Sequence, residues 1–382
     1  MLSRQKSPLR HFSPPIWHRI PGLKLLSYLH WDSWLFVLIS LLLVVSFGLL
    51  YSAGGQKTSI LIRHGIHLGV SFVVFLAMAH TSPRTFKQWA PFLYVAGLIL
   101  LLAVFVFGSA SKGAQRWVPL GPVRFQPSEF MKLISPLMLA YYLSDKPIPL
   151  NLKHLGIGFI IIFLPGLMIA KQPDLGTGLQ VIGTGFGVLF FAGIRWKWIF
   201  KISVFGMAAL PLLWWKLHDY QRQRVLTFLN PESDPLGSGY HIIQSKIAIG
   251  SGGLYGKGWC QGTQVQLNFL PERTTDFIFS VLGEEFGFIG ACILCLLYFG
   301  IILRGMTIMT QTQDTFSRLM AGGIIFGFFI CFFINIGMVS GLLPVVGCPL
   351  PLISYGGTSL VTWMAAFGML VAIQSQNKSS PR

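Results

Sequence analysis

Residues 33–51 read SWLFVLISLLLVVSFGLLY, an apolar run without one charged side chain. A helix needs about 20 such residues to cross the hydrocarbon of a bilayer. In that medium the backbone must satisfy its own hydrogen bonds, so a run of this length is a helix. Comparable runs recur at 60–80, 89–107, 127–143, 155–170, 177–194, 198–216, 277–303, 319–342 and 352–373. The expected fold class is therefore an all-α polytopic integral membrane protein of about ten transmembrane helices. The runs at 127–143 and 155–170 are short and interrupted, and are the weakest of the set.

Composition supports the same class. The chain has 382 residues, 53% hydrophobic and 11% charged, against about 25% charged in soluble domains. The net charge of +17 raises the question of nucleic acid, but the basic residues sit in short loops between apolar runs, the pattern of cytoplasmic loops. No nucleic-acid partner is expected. Loops on one side are richer in Lys and Arg, while the short loops on the other hold five, Lys57, Lys112, Arg116, Arg124 and Lys171. This asymmetry puts both termini in the cytoplasm. Residues 1–32 form a cytoplasmic arm, with Arg4, Lys6, Arg10, Arg19 and Lys24 available to anionic membrane lipid. Helices 1–7 occupy 33–216, a long extracytoplasmic loop 217–276, helices 8–10 277–373, and a cytoplasmic tail 374–382. The loop's aromatic and amphipathic stretches, such as YHIIQSKIAIG, argue against disorder.

Charged groups within apolar runs need partners. Lys132 falls inside the fourth run, and Asp174, in KQPDLGTG, enters the sixth. A Lys132–Asp174 ion pair would neutralise both, either as a lock between helices or as part of a catalytic site, and Asp174 also suits a helix N-cap. Glu129 lies one turn from Lys132. Arg63 and His64 suit snorkelling to the outer interface. Asp276 opens the eighth run, in LPERTTDFIFSVLGEEFGF, as a helix cap or as an exposed functional carboxylate. Glu284 and Glu285 lie two turns further in, where at least one should face an internal polar network.

The glycine stretch GSGGLYGKG at 250–258 lacks Walker A and GxGxxG spacing, so no nucleotide site is expected. Its backbone N–H groups, with Lys257 and Lys246, suit an anionic headgroup, or the stretch is a plain flexible turn. The five cysteines show no metal spacing. Cys260 and Cys348, both in outer loops, are candidates for pairing in an oxidising compartment.

Seven segments then recur in order over nearly the whole chain after residue 33: SKGAQRW, VRFQPSEFMK, AKQPDLGTG, HDYQRQRV, NPESDPLGSGYHIIQSKIAIGSGG, LPERTTDFIFSVLGEEFG and PVVGCPLPLISYGGTSL. Together they resemble the SEDS family (shape, elongation, division and sporulation). The PVVG before PLPLISYGG and the short tail match its elongation branch rather than its division branch. The resemblance implies a peptidoglycan glycosyltransferase of the bacterial inner membrane that polymerises lipid II into β-1,4 glycan strands. It implies partners in a class B penicillin-binding protein and other elongation-complex membrane proteins. It also implies that Asp276 is the essential acid, with Lys132 and Asp174 on two further family positions.

That chemistry can be read against the residues directly. An α-linked diphosphate donor giving a β product needs a single inversion, with one base on the acceptor hydroxyl. A diphosphate leaving group needs positive charge, from Lys, Arg or a divalent cation such as Mg or Mn. Asp276 is the candidate base. Arg273, Lys257, Lys246, Arg222 and Arg224 are the candidate diphosphate ligands, and the identity of any metal stays open. Two rival readings are a lipid II flippase, which needs a polar path through the whole bilayer, and a non-enzymatic scaffold for the penicillin-binding protein, which gives Asp276 no task.

Overall fold

A computed structural model of the chain describes residues 32–379 apart from 112–113, 121–122, 148–149, 217–218, 235–236, 268 and 271. The expected N-terminal arm, up to residue 31, lies outside the described residues. Ten helices of 17 residues or more are found among the described residues. They are α1 Ser33–Ala53, α2 Thr58–Ala79, α3 Pro83–Phe107, α4 Pro127–Leu143, α5 Leu152–Lys171, α6 Leu175–Phe191, α7 Trp196–Lys216, α11 Ile278–Gln311, α12 Thr315–Val339 and α13 Gly357–Ser379. Each coincides with one of the apolar runs. Seven are long and apolar enough on their own to cross a membrane. The other three are the 17-residue α4 and α6, and α7, which carries Lys197 and Lys201 in its first two turns. The exception to an all-helical chain is a small antiparallel ribbon between α3 and α4, made of β1 Ser109–Ser111, β2 Ala114–Leu120 and β3 Val123–Phe125.

The 217–276 region is folded: α8 Asp219–Leu229, a 3₁₀ turn at Pro231–Ser233, α9 Ser238–Gly252 and the short α10 Thr263–Gln266. Its end of the bundle, the loop end, also holds the α1–α2 turn and the 340–356 loop. Trp259 donates to the Gly48 carbonyl (3.1 Å), and Tyr355 N to the Thr274 carbonyl (2.8 Å). At the opposite end Asp32 caps α1 and accepts from Arg304 of α11 at 2.5 Å, while Asn377 donates to Thr312 at 2.8 Å. Both ends of the described chain therefore lie together, as an even number of crossings requires.

Two element boundaries differ from the sequence expectation for local reasons. α13 starts at Gly357 rather than 352, because Leu352 holds a positive φ (66°), which no right-handed helix admits. The eighth run is not one straight helix, since α11 breaks at Gly287 (φ 64°, ψ −160°), a conformation open to glycine alone.

The break leaves carbonyls on one side and N–H groups on the other without helical partners. The 253–258 loop supplies partners for four of them. Lys257 N donates to Glu284 O (3.0 Å) and Gly258 N to Glu285 O (3.0 Å), while Phe288 N donates to Gly253 O (2.9 Å) and Ile289 N to Leu254 O (3.1 Å). A Cβ on Gly252 would meet the Gly283 carbonyl, and one on Gly256 the Glu285 carbonyl. GSGGLYGKG is thus neither an anion cradle nor a flexible turn. It is a backbone plug for an interrupted helix, and the N–H groups suited to an anion are spent on carbonyls.

Candidate active site

Asp276 sits one residue before the N-cap of α11, which is Phe277 and has no side-chain cap bond. Asp276 thus stands at the position before the N-cap rather than at the N-cap itself. Three consecutive carbonyls place it. Thr274 O accepts from Tyr355 N (2.8 Å), Thr275 O from Ser354 Oγ (2.6 Å), and Asp276 O from Asn335 Nδ2 (2.9 Å). Asn335, fully buried in α12, also donates to Cys348 O (2.6 Å), and Ser354 Oγ accepts from Leu350 N (2.8 Å). The non-helical entry to α11 is thereby clamped between α12 and the PLPLISYGG loop. The Asp276 side chain is half-buried, and its Oδ2 lies 3.5 Å from where a Cβ on Gly347 (φ 73°) would stand. A residue with a side chain at 347 would crowd the carboxylate as well as strain the backbone.

Sequence reading missed Asn335 and Ser354. The signal for Asn335 was present, since it is the one amide in the apolar FFICFFINIGMV, and a lone buried amide there must find partners. Asn335→Ala orphans two buried carbonyls, so it should cost about 1–3 kcal/mol. It should also lower turnover by roughly 10²-fold through displacement of the carboxylate. Thermal unfolding and an activity assay on the same preparation check both.

Lys132 is not paired with Asp174. Its ammonium lies 2.7 Å from Glu129 Oε2, both side chains being buried. The residues are three apart on α4, so the pair forms as soon as the helix does. Asp174 is engaged elsewhere, capping α6 through Thr177 N (3.3 Å) and accepting from Gln126 Nε2 (3.2 Å). Lys132→Met should therefore destabilise by about 3–5 kcal/mol by stranding Glu129. Lys132→Met with Glu129→Leu should recover most of that in a melting experiment, whereas a Lys132/Asp174 charge swap should recover nothing.

Glu284 belongs to a separate network. It is fully buried and accepts from Lys257 Nζ (2.8 Å), Thr263 Oγ1 (3.1 Å) and Gln264 N (3.0 Å). Glu285 accepts from Ser52 of α1. Glu284 thus anchors the 253–266 segment to α11, Glu285 ties α11 to α1, and neither is bonded to Glu129. His64 is fully buried too, against Ser46 (3.2 Å), so it does not snorkel, while Arg63 is exposed.

The five candidate diphosphate ligands separate in the same way. Lys257 is tied to Glu284, Arg273 donates to the Val265 carbonyl, and Arg222 closes the end of α7 through Trp214 O (3.0 Å) and Trp215 O (2.9 Å). A carboxylate takes the lysine, and loop and helix-end carbonyls take the two arginines. The Arg224 side chain lies outside the described residues. Lys246 is exposed, with no ion pair or hydrogen bond among the described residues. Its stem crosses Gly341, at one end of the loop whose other end, Gly347, touches Asp276. Ser245 beside it bonds Ser280 (2.8 Å) and Val339 O (2.5 Å), fixing α9 on α11 and α12. His241, also on α9, stacks on Phe277 (5.7 Å).

All five cysteines are free, so Cys260 and Cys348 are not bonded. Cys348 is buried within electrostatic reach of both Lys132 and Asp276, against the Gln180 amide (2.5 Å) and beside Cys331. Among the described residues no three metal-ligating side chains of His, Cys, Asp or Glu converge.

The family model FTSW_RODA_SPOVE, described as Cell cycle protein, matches residues 27–379. The chain is 52% identical to Peptidoglycan glycosyltransferase MrdB of Escherichia coli K12 over 350 residues, covering 91% of this chain and 95% of that one. It is 38% identical to the Helicobacter pylori J99 protein of the same name, covering 90% of each. Among solved structures, one described as "Structural coordination of polymerization and crosslinking by a peptidoglycan synthase complex" superposes with TM-score 0.80 at 33% identity, covering 92% of this chain and 99% of that one. Rod shape determining protein RodA of Thermus thermophilus superposes with TM-score 0.71 at 29% identity, covering 92% and 98%.

Proposed function

This chain belongs to the FtsW/RodA/SpoVE family and is a multi-pass membrane peptidoglycan glycosyltransferase of cell elongation; on that premise we propose that it polymerises lipid II with Asp276 as the base. The observation that carries the proposal is the clamp on three successive carbonyls, which holds a half-buried carboxylate at the mouth of α11. A carboxylate needed only for solubility requires no such support.

In this reading the loop end faces away from the cytoplasm, in keeping with the basic loops at the other end. The acceptor sugar's 4-hydroxyl gives its proton to an Asp276 oxygen while its own oxygen attacks the anomeric carbon of the donor. The bond to the prenyl diphosphate breaks on the opposite face, inverting α to β. The departing diphosphate carries its charge toward Lys246, the unengaged cation on α9, which stabilises it electrostatically. A divalent cation would aid the same departure, but the side chains described beside Asp276 do not form a ligand set of their own. No step is therefore assigned to one. Similarity to a synthase complex that couples polymerization and crosslinking supports a crosslinking penicillin-binding protein as partner.

The flippase reading fits less well. The buried Glu129 and Lys132 of α4 neutralise each other and offer no free charge to a path through the bilayer. The test is purified protein with labelled lipid II: glycan polymer is expected. Transfer of lipid II between leaflets with no polymer, under conditions where the crosslinking partner is present, would overturn the assignment.

A further inference from the structure

Lys132 presents a donor surplus. Its ammonium has three N–H groups and is buried, with the Glu129 carboxylate 2.7 Å away. A buried ammonium in a helical bundle needs further acceptors, because each unsatisfied donor carries its full desolvation cost. Next to Lys132 lies an internal cavity of about 10 Å³, lined by Lys132, Leu133, Thr184, Gly327, Thr362 and Trp363 among others. That is room for the centre of one water.

The hydroxyls are arranged to accept. Thr184 Oγ1 donates to Gln180 O (2.7 Å) and Thr362 Oγ1 to Thr358 O (2.9 Å). Each hydroxyl proton is therefore committed, and each oxygen retains lone pairs. Thr184 and Thr362 are both buried. Gly323 and Gly327 of α12 allow this convergence, since a Cβ on Gly327 would press on Thr184 and one on Gly323 on Val188 and Pro136.

We infer that this cavity is a binding site for a single water, which accepts from Lys132 Nζ and donates to Thr184 Oγ1 and Thr362 Oγ1. The three bonds match the usual number for an internal water. The water joins α4, α6 and α13 at a point where α12 brings them together, and it solvates the inner side of the Lys132–Glu129 pair. An anion is excluded by Glu129, and a lipid methyl by three polar groups that it would leave unpaired. The inference is independent of the reaction assigned to Asp276.

The test uses the full chain in detergent. Thr184→Val and Thr362→Val each remove one acceptor and should each lower the melting temperature by about 2 °C or more. In the double variant the loss should fall short of the sum, because both hydroxyls serve one water. Thr184→Ser and Thr362→Ser keep the oxygens, so their effects should simply add. Additive losses in the valine pair, or valine variants that melt like wild type, would overturn the site. An experimental map that resolves Lys132 Nζ should show a peak about 2.8–3.0 Å away, and a resolved Nζ with no such peak would also overturn it.

Discussion

Asp276→Asn should lose about 10²–10⁴-fold in glycan polymerisation, the range for removal of a general base, while folding and melting like wild type. The asparagine keeps the shape of the side chain but exchanges the negative charge and one acceptor oxygen for an amide donor, so it cannot act as a base. It is also as good a helix cap as aspartate, so a capping role predicts no loss at all. Asp276→Glu is the companion variant. It keeps the charge but moves it by one methylene, away from the place beside Gly347 where Oδ2 now lies. Turnover should fall by roughly 10²-fold even though a carboxylate remains. Polymerisation at the wild-type rate by Asp276→Asn would remove the base from the proposed mechanism, whatever the stability of the variant.

The second large effect is structural and lies in the plug. Gly256→Val places a side chain where φ is +80° and where a Cβ meets the Glu285 carbonyl. The loop cannot then stay seated, and the bonds from Lys257 N and Gly258 N to α11 are lost together with those accepted from Phe288 N and Ile289 N. Backbone strain of about 1–3 kcal/mol and orphaned backbone groups at about 1–3 kcal/mol each consume much of a stability of about 5–15 kcal/mol. Little folded protein should accumulate, as gel-filtration profile and melting temperature would show. Gly250→Ala is the control: nothing lies within 4 Å of a Cβ there and the residue is inside α9. Removing glycine from a helix should leave stability unchanged or raise it by up to about 1 kcal/mol. Similar losses for both variants would mean that the 253–258 loop is not seated as described.

What the Lys257–Glu284 ion pair does follows from the same geometry. Lys257 is the residue after Gly256, and its ammonium is carried into the buried Glu284 by the plug itself. Reading the lysine as a free anion ligand treated the loop as separate from the helix. The two are one unit of structure, assembled from segments about 30 residues apart.

The sequence by itself determined the membrane class and the number and place of the ten helices, and it nominated Asp276. Bilayer thickness and the need to satisfy the backbone within each segment act on contiguous residues. The pairing of Lys132 with Glu129, the clamp from Asn335 and Ser354, the diversion of three cations to carbonyls and carboxylates, and the break at Gly287 were decided by tertiary structure alone. A buried polar group takes whichever partner packing brings within about 3 Å. For Asn335 and Asp276 that partner is 59 residues away, a distance on which no local pattern bears.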